Sequence, residues 1–151
     1  GMVAFAVPLE AMARSFARLA REARAEEGPR RVLAAMGAHP FMVGGTGRLC
    51  TAVGEATGGR VVGKLGAEGI YGVAVPERGL GFALKVEDGG GGRAGDPAAV
   101  RVLDQLGILS PAEAEALERF RRTPVRNTLG QVVGEIRATF DLEHGAVPWR
   151  A

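Results

Sequence analysis

Gly44–Arg93 reads GGTGRLCTAVGEATGGRVVGKLGAEGIYGVAVPERGLGFALKVEDGGGGR. Three strand signals follow one another at short spacing inside it: Arg60 to Leu65, Ile70 to Pro76 and Gly81 to Glu87. The connectors Gly66-Ala67-Glu68-Gly69 and Glu77-Arg78-Gly79-Leu80 are short enough for hairpins, which predicts an antiparallel three-stranded meander. The same stretch holds the only cysteine, the only tyrosine and both lysines, Lys64 and Lys85. A lysine within an apolar strand, followed at once by a glycine-rich turn, is not what a plain core requires.

Outward from the meander the periodicity turns helical. On the N-terminal side, Val3 to Val7 is a short apolar run without an evident partner, and Pro8 suits a first helical turn. Leu9, Met12, Ala13, Phe16, Leu19 and Ala20 form a 3.6-residue stripe, with arginines and glutamates on the other face. Gly28-Pro29 ends that helix and opens another, with Val32, Leu33 and Met36 inward, stopped by Gly37 and His39-Pro40. Thr46 is expected to cap a third helix from Arg48 to about Ala56. On the C-terminal side, Pro97 opens a helix striped by Val100, Leu103 and Leu106. Ser110-Pro111-Ala112-Glu113 is a capping box for a helix to about Arg122. Thr123 to Asn127 reads as a break, and Gln131 to Phe140 as a further strand. The fold class is α+β, an antiparallel sheet with flanking helices, in a single domain over 1–151.

Composition narrows the function classes. The chain has 151 residues, enough for one ordinary core. With 46% hydrophobic residues it is globular, and no apolar run approaches the ~18 residues of a membrane span. No basic-then-apolar leader opens the sequence, and Gly1 before Met2 reads as a tag-cleavage scar. One cysteine forms no internal disulfide, which points to the cytoplasm. Arginine outnumbers lysine 17 to 2, but the net charge is only +2 and the arginines alternate with glutamate on helix faces. With 5% aromatics there are few platforms for stacked bases, so no nucleic-acid partner is expected.

Several residues could carry chemistry. Lys64, desolvated by its strand, would have a lowered pKa and could transfer protons; the alternative is an outward lysine on a half-exposed strand. Cys50, after GGTGR at a helix start, is open to three readings: nucleophile, metal ligand or small buried hydrophobe. His39 and His144 are far apart, each beside a turn. GGTGR lacks the Lys-Ser/Thr ending of a phosphate loop. Arg93, closing the Asp88–Gly92 turn, could clamp an anion. Ser15-Phe16-Ala17-Arg18 is no Ser-x-x-Lys motif, because arginine does not deprotonate in proteins.

Taken together, FAVPLEAMARSFARLA, HPFMVGGTGRLCTAV, GGRVVGKLGAEGIYGVAVPERGLGFALKVEDGGGGRA and TPVRNTLGQVVGEIRA resemble the L-asparaginase II family, the thermolabile rhizobial type. The spacing is specific: Gly-Thr-Gly-Arg-x-Cys is followed, fourteen residues after the cysteine, by Lys-x-Gly-Ala-Glu-Gly. The resemblance implies a serine β-lactamase-like fold, whose Lys-Thr-Gly strand corresponds to Lys64-Leu65-Gly66 with leucine in place of threonine. It implies hydrolysis of L-asparagine to L-aspartate and ammonia. Lys64 and Glu68 would be catalytic, Thr46, Arg48 and Arg93 substrate-binding, and Cys50 a zinc ligand.

The chain also departs from the family pattern. It carries no Ser-x-x-Lys, no Cys-Ser-Gly-Lys-His and no Asp-Gly-Cys. It therefore resembles the C-terminal half of members about twice its length. The expectation is an enzyme incomplete on its own, or an inactive truncated module that forms a homodimer or complements a separately encoded half.

Overall fold

The computed structural model describes residues 5–143; Gly1 and His144 lie outside them, as do the first residues of the Val3–Val7 run. Four helices come first: α1 (Leu9–Glu22), α2 (Glu27–Ala38), α3 (Pro40–Gly44) and α4 (Leu49–Ala56). Strands β1 (Val62–Leu65), β2 (Ile70–Val75) and β3 (Leu80–Lys85) follow, then α5 (Asp96–Gln105), α6 (Pro111–Ala116) and α7 (Glu118–Arg121). The described chain ends in β4 (Arg122–Arg126) and β5 (Val132–Arg137). This is the α+β class that the sequence predicts.

The meander forms as expected, in the order β1-β2-β3 with both pairings antiparallel. Lys64 pairs with Gly72, and Tyr71 stands between Leu65 and Leu84. Strand alternation sends Tyr71, Val73 and Val75 to one face, where they pack with Leu49, Val53, Val100, Leu103, Leu117 and Phe120. Ala74 and Val62 go to the other face, against Ala20 and Leu33. Helices thus cover both faces of the sheet.

Helix α1 lies unusually close to the sheet. A Cβ on Gly81 would stand 2.2 Å from the Ala17 nitrogen, and one on Gly72 would stand 2.1 Å from the Phe16 ring. Those two glycines let the helix backbone settle onto the strands.

Three sequence expectations are corrected. Helix α4 starts at Leu49 behind Arg48, with no side-chain cap; Thr46 sits exposed in the preceding turn. The turn is tied by Thr51, whose hydroxyl donates to the Gly45 carbonyl at 2.7 Å. The helix opened by the Ser110–Glu113 capping box keeps that box but is interrupted at Leu117, giving α6 and α7. Thr123–Asn127 is mostly strand: β4 pairs with β5 in a separate two-stranded sheet. Pro124 does not forbid this, since each strand of a two-stranded ribbon has a free edge for its missing N–H. Asn127 closes the hairpin, its Oδ1 accepting from the Leu129 and Gln131 N–H groups at 3.0 Å.

Candidate functional site

The three glycine-containing motifs converge on one cleft of about 540 Å³. Gly44 lines it from the end of α3 and Arg48 from the residue before α4, Lys64 to Gly69 from the end of β1 and the β1–β2 connection, and Gly89, Gly91 and Gly92 from the turn before α5. Of the sequence-predicted residues, Arg48, Lys64 and Glu68 are therefore brought together. Thr46 and Arg93 are not among the cleft's lining residues. Arg93 instead forms an ion pair with Asp88, itself held by the Gly90 N–H.

Lys64 is exposed, the outward-facing alternative of the two that the sequence left open. β1 is an edge strand; α1 and α2 cover Val62 but stop short of Lys64. The Lys64 ammonium donates to the Leu65 carbonyl, which leaves its other donors for the cleft.

Glu68 is the one described non-glycine residue with left-handed backbone, at φ 56°. Such a conformation costs an L-residue energy and persists where neighbours enforce it. Here Lys85 donates to the Glu68 carbonyl at 2.8 Å, and the Val86 N–H donates to the Gly69 carbonyl at 2.9 Å. The second lysine of the meander is thus a clip on the connection that carries Glu68.

Cys50 is 3% exposed and packed in the core. Its sulfur accepts the Leu65 N–H at 3.1 Å, which ties α4 to the strand carrying Lys64. The geometry favours the buried-hydrophobe alternative over a reactive thiol. A zinc site needs about four ligands. No three His, Cys, Asp or Glu side chains gather to hold a metal among the described residues. On their own these residues do not fit zinc.

Behind Cys50 lies Tyr71, 1% exposed, its hydroxyl filling the space a Cβ on Gly63 would take. Burial pushes the phenol well above its ordinary pKa; Cys50 and then Asp96 push it further the same way. The thiol is near enough to be felt, but the contact falls short of hydrogen-bond geometry, and the hydroxyl is left without a partner among the described residues.

Asp96 is the residue sequence reasoning missed. It opens α5, and burial raises its carboxyl to about 6, against the opposing pull of Arg48. A half-buried carboxyl raised in this way, four residues after the cleft-lining Gly92, is a candidate for function by a physical criterion. The only signal in the sequence was an acid directly after a glycine-rich run.

The family model for L-asparaginase II matches residues 1–138. The chain belongs to the L-asparaginase II family. A comparison with curated proteins finds no match. The cleft motifs of this L-asparaginase II family chain, GTGR, KLGAEG and DGGGG, are those from which the resemblance was drawn. Among the described residues no helix is long and apolar enough to cross a membrane.

Proposed function

We propose that the chain serves hydrolysis of the L-asparagine side-chain amide to L-aspartate and ammonia in the cytoplasm, supplying the lysine-bearing wall of a divided active site. The observation that carries this is the convergence of Arg48, Lys64 and Glu68 on one cleft in a chain of this family. In this reading β1 takes the part of the Lys-Thr-Gly strand of a serine β-lactamase-like fold. Leu65, half-buried against the core, replaces the threonine.

Amide hydrolysis needs a nucleophile, stabilisation of the oxyanion and a proton for departing ammonia. Lys64, with ammonium donors toward the cleft, supplies the last two, and backbone N–H groups of Ala67–Gly69 assist with the oxyanion, the Gly66 N–H being bound to the Ile70 carbonyl at 2.8 Å. The nucleophile comes from elsewhere. Ser15 and Ser110 are the chain's two serines. The Ser15 hydroxyl donates to the Ala11 carbonyl within α1, and Ser110 caps α6. Neither reaches the cleft, so a Ser-x-x-Lys element from another polypeptide or segment completes the site.

The test combines the purified chain with the Ser-x-x-Lys-bearing N-terminal half of a full-length family member and follows ammonia released from L-asparagine. Release is expected from the mixture alone, with a loss of about 100-fold or more in Lys64→Ala. No release from any mixture overturns the amidohydrolase reading. Release by the chain unaided overturns the divided site. A second reading, a self-associating module without catalysis, is favoured by the exposed apolar side chains of the β4–β5 hairpin, Leu129, Val132 and Val133.

A further inference from the structure

Arg122 opens β4, Arg137 closes β5, and the hairpin register sets the two directly opposite one another. Cross-strand partners share a face with their Cβ atoms about 5 Å apart, and like charges placed so are destabilising. Both residues line a hollow of about 280 Å³ that shares no lining residue with the cleft. Arg101 of α5 and Arg121 of α7 line it as well, and no acidic residue does.

The carboxylates that balance these charges stand outside that wall, and two of them are shared. Glu118 lies 4.0 Å from Arg121 and 3.5 Å from Arg122; Glu135 lies 4.0 Å from Arg122 and 3.5 Å from Arg137. Asp104 and Asp141 accept hydrogen bonds, from Arg121 at 3.0 Å and from Arg101 at 2.7 Å. Arg122 and Arg137 thus have ion-pair partners, but among the described residues neither guanidinium donates a hydrogen bond. Two planar forks of N–H donors are left unengaged at one wall. Thr139 adds a hydroxyl to the same wall.

We propose that this hollow binds a phosphate dianion, free or as the terminal group of a small monoester, seated between Arg122 and Arg137. An anion there turns the repulsion of two opposed guanidiniums into a shared attraction, and each fork engages phosphate oxygens bidentately. A tetrahedral group presents oxygens to cations that converge from two strands and two helices, whereas a carboxylate presents its two in one plane. The volume falls just below the roughly 300–1,000 Å³ of pockets for drug-sized ligands, so the ligand is compact. Arg122 and Arg137 are 50% and 56% exposed, where water weakens any single charge. Binding therefore rests on the convergence, which the more covered Arg101 and Arg121 complete.

The experiment measures binding to the whole chain and needs no turnover. Calorimetry at about pH 8, where a monoester is dianionic, compares inorganic phosphate, glycerol 3-phosphate, dimethyl phosphate and succinate at constant ionic strength. Both dianionic phosphates are expected to bind, with succinate and the monoanionic diester weaker by about tenfold or more. Arg122→Gln and Arg137→Gln are each expected to weaken phosphate by about tenfold or more. Arg14→Gln, whose arginine pairs with Glu10 on the exposed face of α1, is expected to stay within about twofold. Arg137→Gln also removes the like-charge opposition, so its urea midpoint in phosphate-free buffer is expected at or above that of wild type. Lost binding in that variant is then not lost folding. Tighter binding of glycerol 3-phosphate than of inorganic phosphate assigns the monoester and the reverse order the free ion; either upholds the site. No phosphate binding by wild type overturns it, as does equal binding by wild type and the Arg122→Gln, Arg137→Gln double variant. Succinate or dimethyl phosphate binding as tightly as the dianionic phosphates overturns the ligand class.

Discussion

Asp88 and Asp96 bracket the glycine-rich turn, and their surroundings push them in opposite directions. Asp88, exposed, is held below its ordinary pKa first by the Gly90 N–H and then by Arg93. Asp96 is raised by burial from 3.8 to about 6. Between those values the folded chain binds more protons at Asp96 than the unfolded chain does. The slope of stability with pH is therefore negative there. The Asp96 contribution is at its most favourable below the unfolded value, declines as pH rises to about 6, and is then flat. Asp96→Asn should accordingly stabilise the fold at pH 8, by about 1 kcal/mol once the solvent-facing part of the carboxyl is discounted, and by little at pH 4. Urea unfolding at both pH values checks this; an equal change at both would assign the effect to packing. None of this was legible in the sequence. Asp96 read as the end of the glycine-rich run before the helix at Pro97, and the charge of Arg48 acts on it only through the tertiary fold. For Lys64 the sequence left burial and an outward position both open, and an edge strand leaves it exposed.

The elements themselves were more readable. The meander followed from alternation and connector length, and the capping box from four residues in sequence, since both are local rules. Ser110 and Glu113 exchange their bonds as the motif requires, and Glu113 also reaches Arg60 at 2.6 Å. The first strand of the β4–β5 hairpin was missed because Pro124 is a breaker only where a neighbour needs its N–H. The depth of the α1 contact was equally invisible, though it rests on residue type. Gly81→Ala places a methyl 2.2 Å from the Ala17 backbone nitrogen, which no rotamer relieves. The expected cost is about 3 kcal/mol, as for overpacking against backbone. Gly134→Ala is the control, its nearest neighbour standing 4.0 Å away. Denaturant midpoints for the two variants separate steric docking from a general intolerance of alanine.

At the scale of the molecule, the net charge of +2 goes with many arginines paired to carboxylates. A second hollow, of about 280 Å³, is lined by Arg101, Arg121, Arg122 and Arg137. Each of the four is matched to a carboxylate: Asp141, Asp104, Glu118 and Glu135 respectively. The arginine-over-lysine bias thus builds a network across α5, α7 and the hairpin. Apolar surface is the less settled feature. Leu129 is 80% exposed and Val133 63%, both on the hairpin that stands outside the main sheet. Exposed apolar side chains grouped in this way mark contact surfaces. The double variant Leu129→Lys, Val133→Lys should shift any self-association toward monomer in analytical ultracentrifugation without lowering the unfolding midpoint. Wild-type chain that is monomeric at high concentration would remove the homodimer expectation.

Tyr71, the chain's single tyrosine, stands behind the cleft with its hydroxyl unbonded and its edge against Cys50. Optically, the chain therefore has one phenol, and it reports on one place. Its ultraviolet absorption has no exposed tyrosines to average over, and its ionisation band is withheld while the sheet and α4 stay together. The same burial that makes this side chain chemically silent makes it a built-in spectroscopic gauge of the cleft wall.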